Sequence, residues 1–296
     1  MTDINFNNIS VDILTVPLFI EKGVEISVLR LDKIHPLISG NKWFKLRYYL
    51  EEAKQQNKKT IVTFGGAWSN HILATAATCK MNGFNSIGII RGENPANLSP
   101  TLLQSQAEGM QLFFITREQY SQKIIPAELN TAEDYFINEG GYGVNGAEGA
   151  ATILDHCHKQ SYDKIGCACG TGTMVAGLIN AAQSMQEVIG ISVLKNNTAL
   201  QEKVQSLLQN EDRNFQFIHD YHFGGYAKYK SELIDFMNMF YQQTGIPSDF
   251  VYTGKLFYGF YQLVKNNSFQ PGCRILLIHS GGLSGNSSLE KGMLIF

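Results

Sequence analysis

The chain has 296 residues, 44% of them hydrophobic and 17% charged, which is material for a packed core of about two lobes and excludes a disordered chain. Its 24 Lys and Arg against 26 Asp and Glu leave a net charge of −2 with no basic stripe, so no nucleic-acid partner is expected. Residues 1–10 lack the basic and apolar stretches of an export signal, and no apolar run approaches the ~20 residues of a membrane span. A cytoplasmic protein without a membrane segment is the expectation.

From the N-terminus onward, strand-length apolar runs alternate with helical patterns. Residues 39–45 (SGNKWFK) hold two lysines three apart, which share a face if a helix begins near Asn41. Residues 60–64 (TIVTF) read as a buried strand, Gly65 and Gly66 break it, and 70–81 read as an Ala-rich helix. A strand over 86–90, a helix over 100–109 and a strand over 111–115 follow. Next come a strand over 163–168, a glycine turn at 170–172, a helix over 174–185, a strand over 188–193 and a helix over 199–208. Helices over 228–243 and 255–264 precede a strand over 274–279 that ends in Gly281 and Gly282. Continuous apolar strands alternating with helices predict an α/β fold of doubly wound, mostly parallel sheets. Such folds bind ligands beyond the C-terminal ends of strands, which singles out 40–45, 65–71, 170–173 and 280–282.

Five cysteines, an odd number without an export signal, argue against a disulfide framework. The cluster His156-Cys157-His158 with Cys167-x-Cys169 departs from chelating spacing, and Cys167 and Cys169 fall in an apolar strand. No metal is expected.

Gly170-Thr171-Gly172-Thr173 follows a strand and opens a helix, where backbone N–H groups and two hydroxyls form a phosphate cradle. The bland alternative is a glycine turn for tight strand–helix packing. A dinucleotide fingerprint is incomplete, because Val175 takes the place of the third glycine and the next strand ends without a carboxylate. The nucleoside-triphosphate loop is absent, which leaves a small phosphorylated cofactor. Of Lys42 and Lys45, one amine is suited to forming an imine and the other to meeting an anion; two solvated lysines are the alternative. Ser69 reads as a helix N-cap, with a substrate carboxylate as the functional alternative.

The motifs SGNKWFKL, GGAWSNH, CGTGT, YTGK at 252–255 and HSGG occur in the order found in the 1-aminocyclopropane-1-carboxylate (ACC) deaminase/D-cysteine desulfhydrase family, which the chain resembles from about residue 28 to residue 286. That family belongs to the tryptophan-synthase-β-like, fold type II enzymes of pyridoxal 5′-phosphate (PLP). The resemblance implies that Lys42 is the Schiff-base lysine and Lys45 a phosphate contact, with Gly170, Thr171, Gly172 and Thr173 as the phosphate loop. It implies further that Ser69 meets the substrate carboxylate, Asn70 stands beside the PLP 3′-oxygen, Tyr252 and Tyr226 are active-site tyrosines, and Thr253 partners the ring nitrogen. ACC deaminases have glutamate at the Thr253 position and leucine at the Ser280 position; hydroxyls at both point instead to β-elimination from a small amino acid such as D-cysteine. Trp68 and His71, flanking Ser69 and Asn70, differ from the pattern as well and reshape the expected substrate pocket.

The implied architecture is a large PLP-binding lobe of residues 1–44 plus 152–296 and a small lobe of 45–151, with a homodimer implied by resemblance alone. ACC deamination is the first alternative and a PLP-binding protein without turnover the second. A dinucleotide-dependent oxidoreductase is disfavoured by its incomplete fingerprint.

Overall fold

The computed structural model describes every residue except 1–3, 39, 130 and 211, so Ser39 of the first lysine motif lies outside the described residues. In chain order the strands are β1 (Val11–Ile13), β2 (Glu25–Arg30), β3 (Thr60–Gly65), β4 (Asn85–Arg91), β5 (Met110–Ile115), β6 (Asp134–Ile137), β7 (Lys164–Cys169), β8 (Glu187–Ser192), β9 (Phe215–Ile218) and β10 (Arg274–His279). The helices are α1 (Pro17–Glu21), α2 (Asn41–Gln55), α3 (Asn70–Asn82), α4 (Pro100–Ala107), α5 (Arg117–Ser121), α6 (Val144–Ala151), α7 (Thr173–Ala181), α8 (Leu200–Gln205), α9 (Ser231–Thr244) and α10 (Thr253–Lys265).

Two sheets carry these elements. One has six strands in the order β1-β2-β10-β7-β8-β9, parallel throughout except for the antiparallel pairing of β1 with β2. The other has four parallel strands in the order β5-β4-β3-β6. In β2, β3, β7, β8 and β10 every residue after the first is buried, which is why these strands are continuous apolar runs.

Helix ends follow local chemistry. Ser69 caps α3 by accepting from Ile72 N, and Gly83 (φ 76°) closes it in the left-handed region. Ser99 caps α4 ahead of Pro100, and Thr116 with Gln119 forms a capping box on α5.

The strand order locates the site. In the six-stranded sheet β8 and β9 lie to one side of β7 while β10 lies to the other, and in the four-stranded sheet β4 and β5 lie to one side of β3 while β6 lies to the other. Each reversal is a switch point, where the loops leaving adjacent strands diverge and open a crevice. The loops are those after β7 and β10 in one sheet and after β3 and β6 in the other.

Helix α2 joins the two halves. Its Phe44 packs in a core with Ala147, Ala150 and Ile165, whereas its Leu46, Tyr49 and Leu50 pack with Ile61 and Ala74. Close to the site, Arg30 at the end of β2 bonds Asp32 twice (2.8 and 2.7 Å) and Asp12 once (2.8 Å), and His279 at the end of β10 stands 3.4 Å from Asp32. Among the described residues, no helix is long and apolar enough to cross a membrane.

Candidate active site

A cavity of about 580 Å³ is lined by the loops that leave β3, β6, β7 and β10 and by the first turn of α2. The lysines lie on that turn. The turn is docked by Gly40, whose N–H donates to Leu31 O and whose neighbour Asn41 N donates to Ser280 O. Gly40 has φ +70°, and a Cβ there would fall 1.6 Å from Ser280 O, so only glycine allows α2 to start against the end of β10.

Lys42 and Lys45 both line the cavity. The Lys42 amine donates to Asn41 Oδ1 at 2.7 Å and stands 5.9 Å from the centroid of the Tyr252 ring. Burial pushes its pKa down to about 8, with Asp249 pulling weakly the other way. The Lys45 amine donates to Gly140 O at 2.9 Å; burial, and then the Lys42 charge, hold it well below the ordinary lysine value. Near pH 7 roughly a tenth of Lys42 is therefore the neutral, nucleophilic amine, hundreds of times the fraction in an exposed lysine.

Beyond β7, Gly170, Thr171 and Gly172 lead into α7, and the Thr171 and Thr173 hydroxyls lie 3.1 Å apart at its first turn. Gly140 sits against the Thr171 side chain, so Lys45, Thr171 and the 138–143 loop meet at this end.

The α3 start forms the opposite rim. Ser69 Oγ accepts from Ile72 N at 3.4 Å, and among the described residues its proton has no acceptor, so the hydroxyl can cap the helix and still donate. Asn70 donates to Gly282 O at 2.9 Å and accepts from Ser284 Oγ, which ties α3 to the loop after β10. His71 is buried; Thr63 gives its proton to Ile137 O (2.7 Å), so His71 Nε2, at 2.9 Å, donates to Thr63. Burial and the two lysines keep the ring neutral.

The third wall comes from the start of α10. The rings of Tyr252 and Tyr226 meet edge-to-face at 6.2 Å, and burial, followed by Tyr226, raises the Tyr252 phenol well above its ordinary value. Fully buried Lys255 donates to His222 O (2.8 Å) and Gly225 O (2.7 Å), fixing the loop that presents Tyr226. Buried Asp249 accepts from the N–H groups of Val251, Tyr252 and Thr253 and from the Thr253 hydroxyl at 2.7 Å, while Thr253 Oγ1 accepts from Asp249 N at 2.8 Å. The Thr253 hydroxyl is thus engaged as donor and as acceptor. The Ser280 side chain lines the cavity, and its hydroxyl makes no hydrogen bond among the described residues.

The structure thus brings Lys42, Lys45, Ser69, Asn70, His71, Gly170, Thr171, Gly172, Tyr226, Tyr252 and Ser280 to one cavity. Thr173 adjoins it through Thr171, and Thr253 stands behind Tyr252. Lining residues that sequence reasoning missed include Arg91, Glu139, Gly140 and Asn197. The cluster Gly140-Gly141-Tyr142-Gly143 was a usable signal for two of them; the other two had none.

This geometry has clear relatives. A mitochondrial Arabidopsis thaliana protein named bifunctional D-cysteine desulfhydrase/1-aminocyclopropane-1-carboxylate deaminase is 30% identical over 296 aligned residues, covering 89% of this chain and 73% of its own. A Klebsiella pneumoniae protein named D-cysteine desulfhydrase is 27% identical, with 88% of this chain and 87% of the relative covered. The crystal structure of an ACC deaminase homologue superposes with a TM-score of 0.81 at 27% identity, over 94% of this chain and 90% of that one. Since a family model described as pyridoxal-phosphate dependent enzyme also matches residues 15–281, nearly the whole length, the chain belongs to the pyridoxal-phosphate dependent enzymes, in the group of ACC deaminases and D-cysteine desulfhydrases.

Proposed function

We propose that the protein eliminates the β-substituent of a small amino acid in the manner of a D-cysteine desulfhydrase, converting D-cysteine and water into pyruvate, sulfide and ammonia. The residues suit the cofactor. Lys42 offers an amine near pKa 8 to its aldehyde, and the 170–173 turn with Lys45 offers N–H groups, hydroxyls and an amine that a phosphate dianion would hold protonated. Asn70 would stand beside the ring oxygen. When bound, PLP supplies the electron sink that makes the substrate α-proton acidic.

The chain's own groups do the rest. Ser69, with its unspent proton, and the N–H groups opening α3 receive the substrate carboxylate. The Lys42 amine would accept the α-proton, with the Tyr252 phenol beside it as a donor to the departing group. Tyr226 packs against Tyr252 and narrows the pocket.

One observation carries the choice of elimination over cyclopropane opening. The Ser280 hydroxyl lines the cavity without a hydrogen bond among the described residues and would be free to meet the ring nitrogen, while the Thr253 hydroxyl and the nearby buried Asp249 carboxylate are engaged with each other and their own loop. A hydroxyl leaves the ring nitrogen neutral, which suffices when a good leaving group departs, whereas opening an unactivated ring calls for a protonated nitrogen held by an acid.

Purified protein is expected to show cofactor absorbance at the visible edge that Lys42→Ala loses. Pyruvate release is then compared for D-cysteine, L-cysteine, D-serine and ACC. A colourless wild type that takes up no added PLP overturns the cofactor assignment; ACC as the sole productive substrate overturns the reaction.

A further inference from the structure

Arg91 ends β4 one residue beyond the Gly65–Ile90 pair, which brings it beside Gly66 on the rim of the cavity. A Cβ on Gly66 would lie 3.7 Å from Arg91 Nη2, so the guanidinium lies against the loop that leads to Ser69. Among the described residues the side chain has no ion pair and no hydrogen bond; its one contact of note is the Tyr120 ring, 5.8 Å from Cζ. Of the other basic side chains on the lining, Lys42 donates to Asn41 and Lys45 to Gly140, and Lys203 comes from α8, on the opposite sheet from β4.

The carboxylate that could have neutralised Arg91 is engaged elsewhere. Glu139 also lines the cavity, and it is bonded to Lys123 at 2.8 Å. The rim therefore keeps a positive charge in excess, presented as a planar fork of donors, on the same cavity lining as exposed Trp68 and within electrostatic reach of the Tyr226 hydroxyl.

We propose that Arg91 is a specificity-determining residue that receives a second anionic group, carried on the β-substituent, so that the cleft favours amino acids whose departing group bears an acid. This rests on the elimination reading above. The α-carboxylate is accounted for at Ser69 and the α3 start, one strand away, which leaves Arg91 facing whatever extends from the β-carbon toward the opening. For a substrate of the form thioether-linked acid, the Cβ–S bond breaks and sulfur leaves with its electron pair, taking up a proton. Water replaces the amine, giving the free thiol, pyruvate and ammonia. Arg91 forms no bond to the substrate beyond hydrogen bonds.

The test uses an isosteric pair, S-carboxymethylcysteine and S-carbamidomethylcysteine, in D and L forms, with the holoenzyme. Binding is read from the change in cofactor absorbance on titration, which needs no turnover, and kcat/KM from pyruvate. The acid is expected to bind at least about tenfold more tightly than the amide, the scale of one solvent-accessible charge-assisted contact. In Arg91→Gln the ratio falls to near unity, and Arg91→Lys restores part of it. Equal binding of the two probes by wild type overturns the proposal without any variant. So does an Arg91→Gln enzyme weakened equally for both, since that is the signature of an α-carboxylate or structural role. A wild-type preference in binding that Arg91→Gln abolishes, with no pyruvate from any probe or from cysteine, upholds Arg91 and overturns the elimination reading alone.

Discussion

Asp249→Ala is expected to cost about 3–5 kcal/mol, the scale of breaking a buried charged network. The carboxylate is fully buried and accepts from Val251 N (2.9 Å), Tyr252 N (2.8 Å), Thr253 N (2.9 Å) and the Thr253 hydroxyl (2.7 Å). Hydrogen bonds to a charged group contribute roughly 1.5–3 kcal/mol each, and a buried donor left without an acceptor costs roughly 1–3 kcal/mol. Four stranded donors would exceed the net figure, but alanine removes a charge that had to be desolvated and leaves space for a water to serve some of them. Asp249→Asn keeps the volume and one acceptor oxygen while turning an NH₂ toward donors, so its loss is smaller. It also removes the charge that draws the Lys42 pKa upward, so Lys42 titrates lower than in wild type. Urea denaturation of holoenzyme measures the first effect. Turnover with the cofactor band still present measures the displacement of Tyr252. If Asp249→Ala unfolds at the wild-type midpoint, the loop does not depend on this carboxylate and its saturation cannot explain why it is withheld from the ring nitrogen.

Apoprotein offered PLP should capture it faster as pH rises, because only the neutral Lys42 amine attacks the aldehyde; with a pKa of about 8 in place of 10.5, the rate climbs roughly tenfold per pH unit and levels off above pH 8. A rate still climbing at pH 10, followed by stopped-flow absorbance, would show that Lys42 is not shifted. The two hydroxyls separate cleanly: Ser280→Ala is expected to change the cofactor spectrum and weaken cofactor binding with little change in unfolding midpoint, whereas Thr253→Val, which breaks the bonds to Asp249, lowers the midpoint first.

What the sequence revealed depended on burial. β7 and β10 are covered on both faces, so their apolar runs were legible to within one or two residues, and so were the loops they feed. β6 has four residues, begins with Asp134 and is only half covered in the middle, which leaves no period to read. The loop behind it went unread with it, and Glu139 and Gly140 were lost. Helix α6, VNGAEGAA, was hidden for a different reason. Two glycines argue against a helix on propensity, yet a Cβ on Gly149 would fall 1.8 Å from Phe44 O, so packing against α2 demands the residue that local preference rejects. Thr253 shows a third kind of limit. Motif order brings it next to Tyr252, but whether its hydroxyl is available depends on Asp249, four residues earlier, and no spacing rule conveys that.

The same contacts explain how the cleft can vary its substrates without loosening its chemistry. The contacts that hold the site's shape are shared among its loops: Asn70 to Gly282 and Ser284 ties α3 to the loop after β10, Lys45 to Gly140 ties α2 to the loop after β6, and Gly40 seats the start of α2 against Ser280. A substitution there is expected to move Lys42 or Ser69, the proposed proton acceptor and carboxylate site. The rim is different. Among the described residues neither the Trp68 nor the Arg91 side chain makes a hydrogen bond, and Arg91 is held only by its strand and the Tyr120 ring. Exchanging a rim side chain alters which β-substituent is welcome while leaving Lys42 where α2 puts it. Selection acting on substrate choice therefore meets least resistance at positions such as 68 and 91, where this chain carries a tryptophan and an uncompensated arginine.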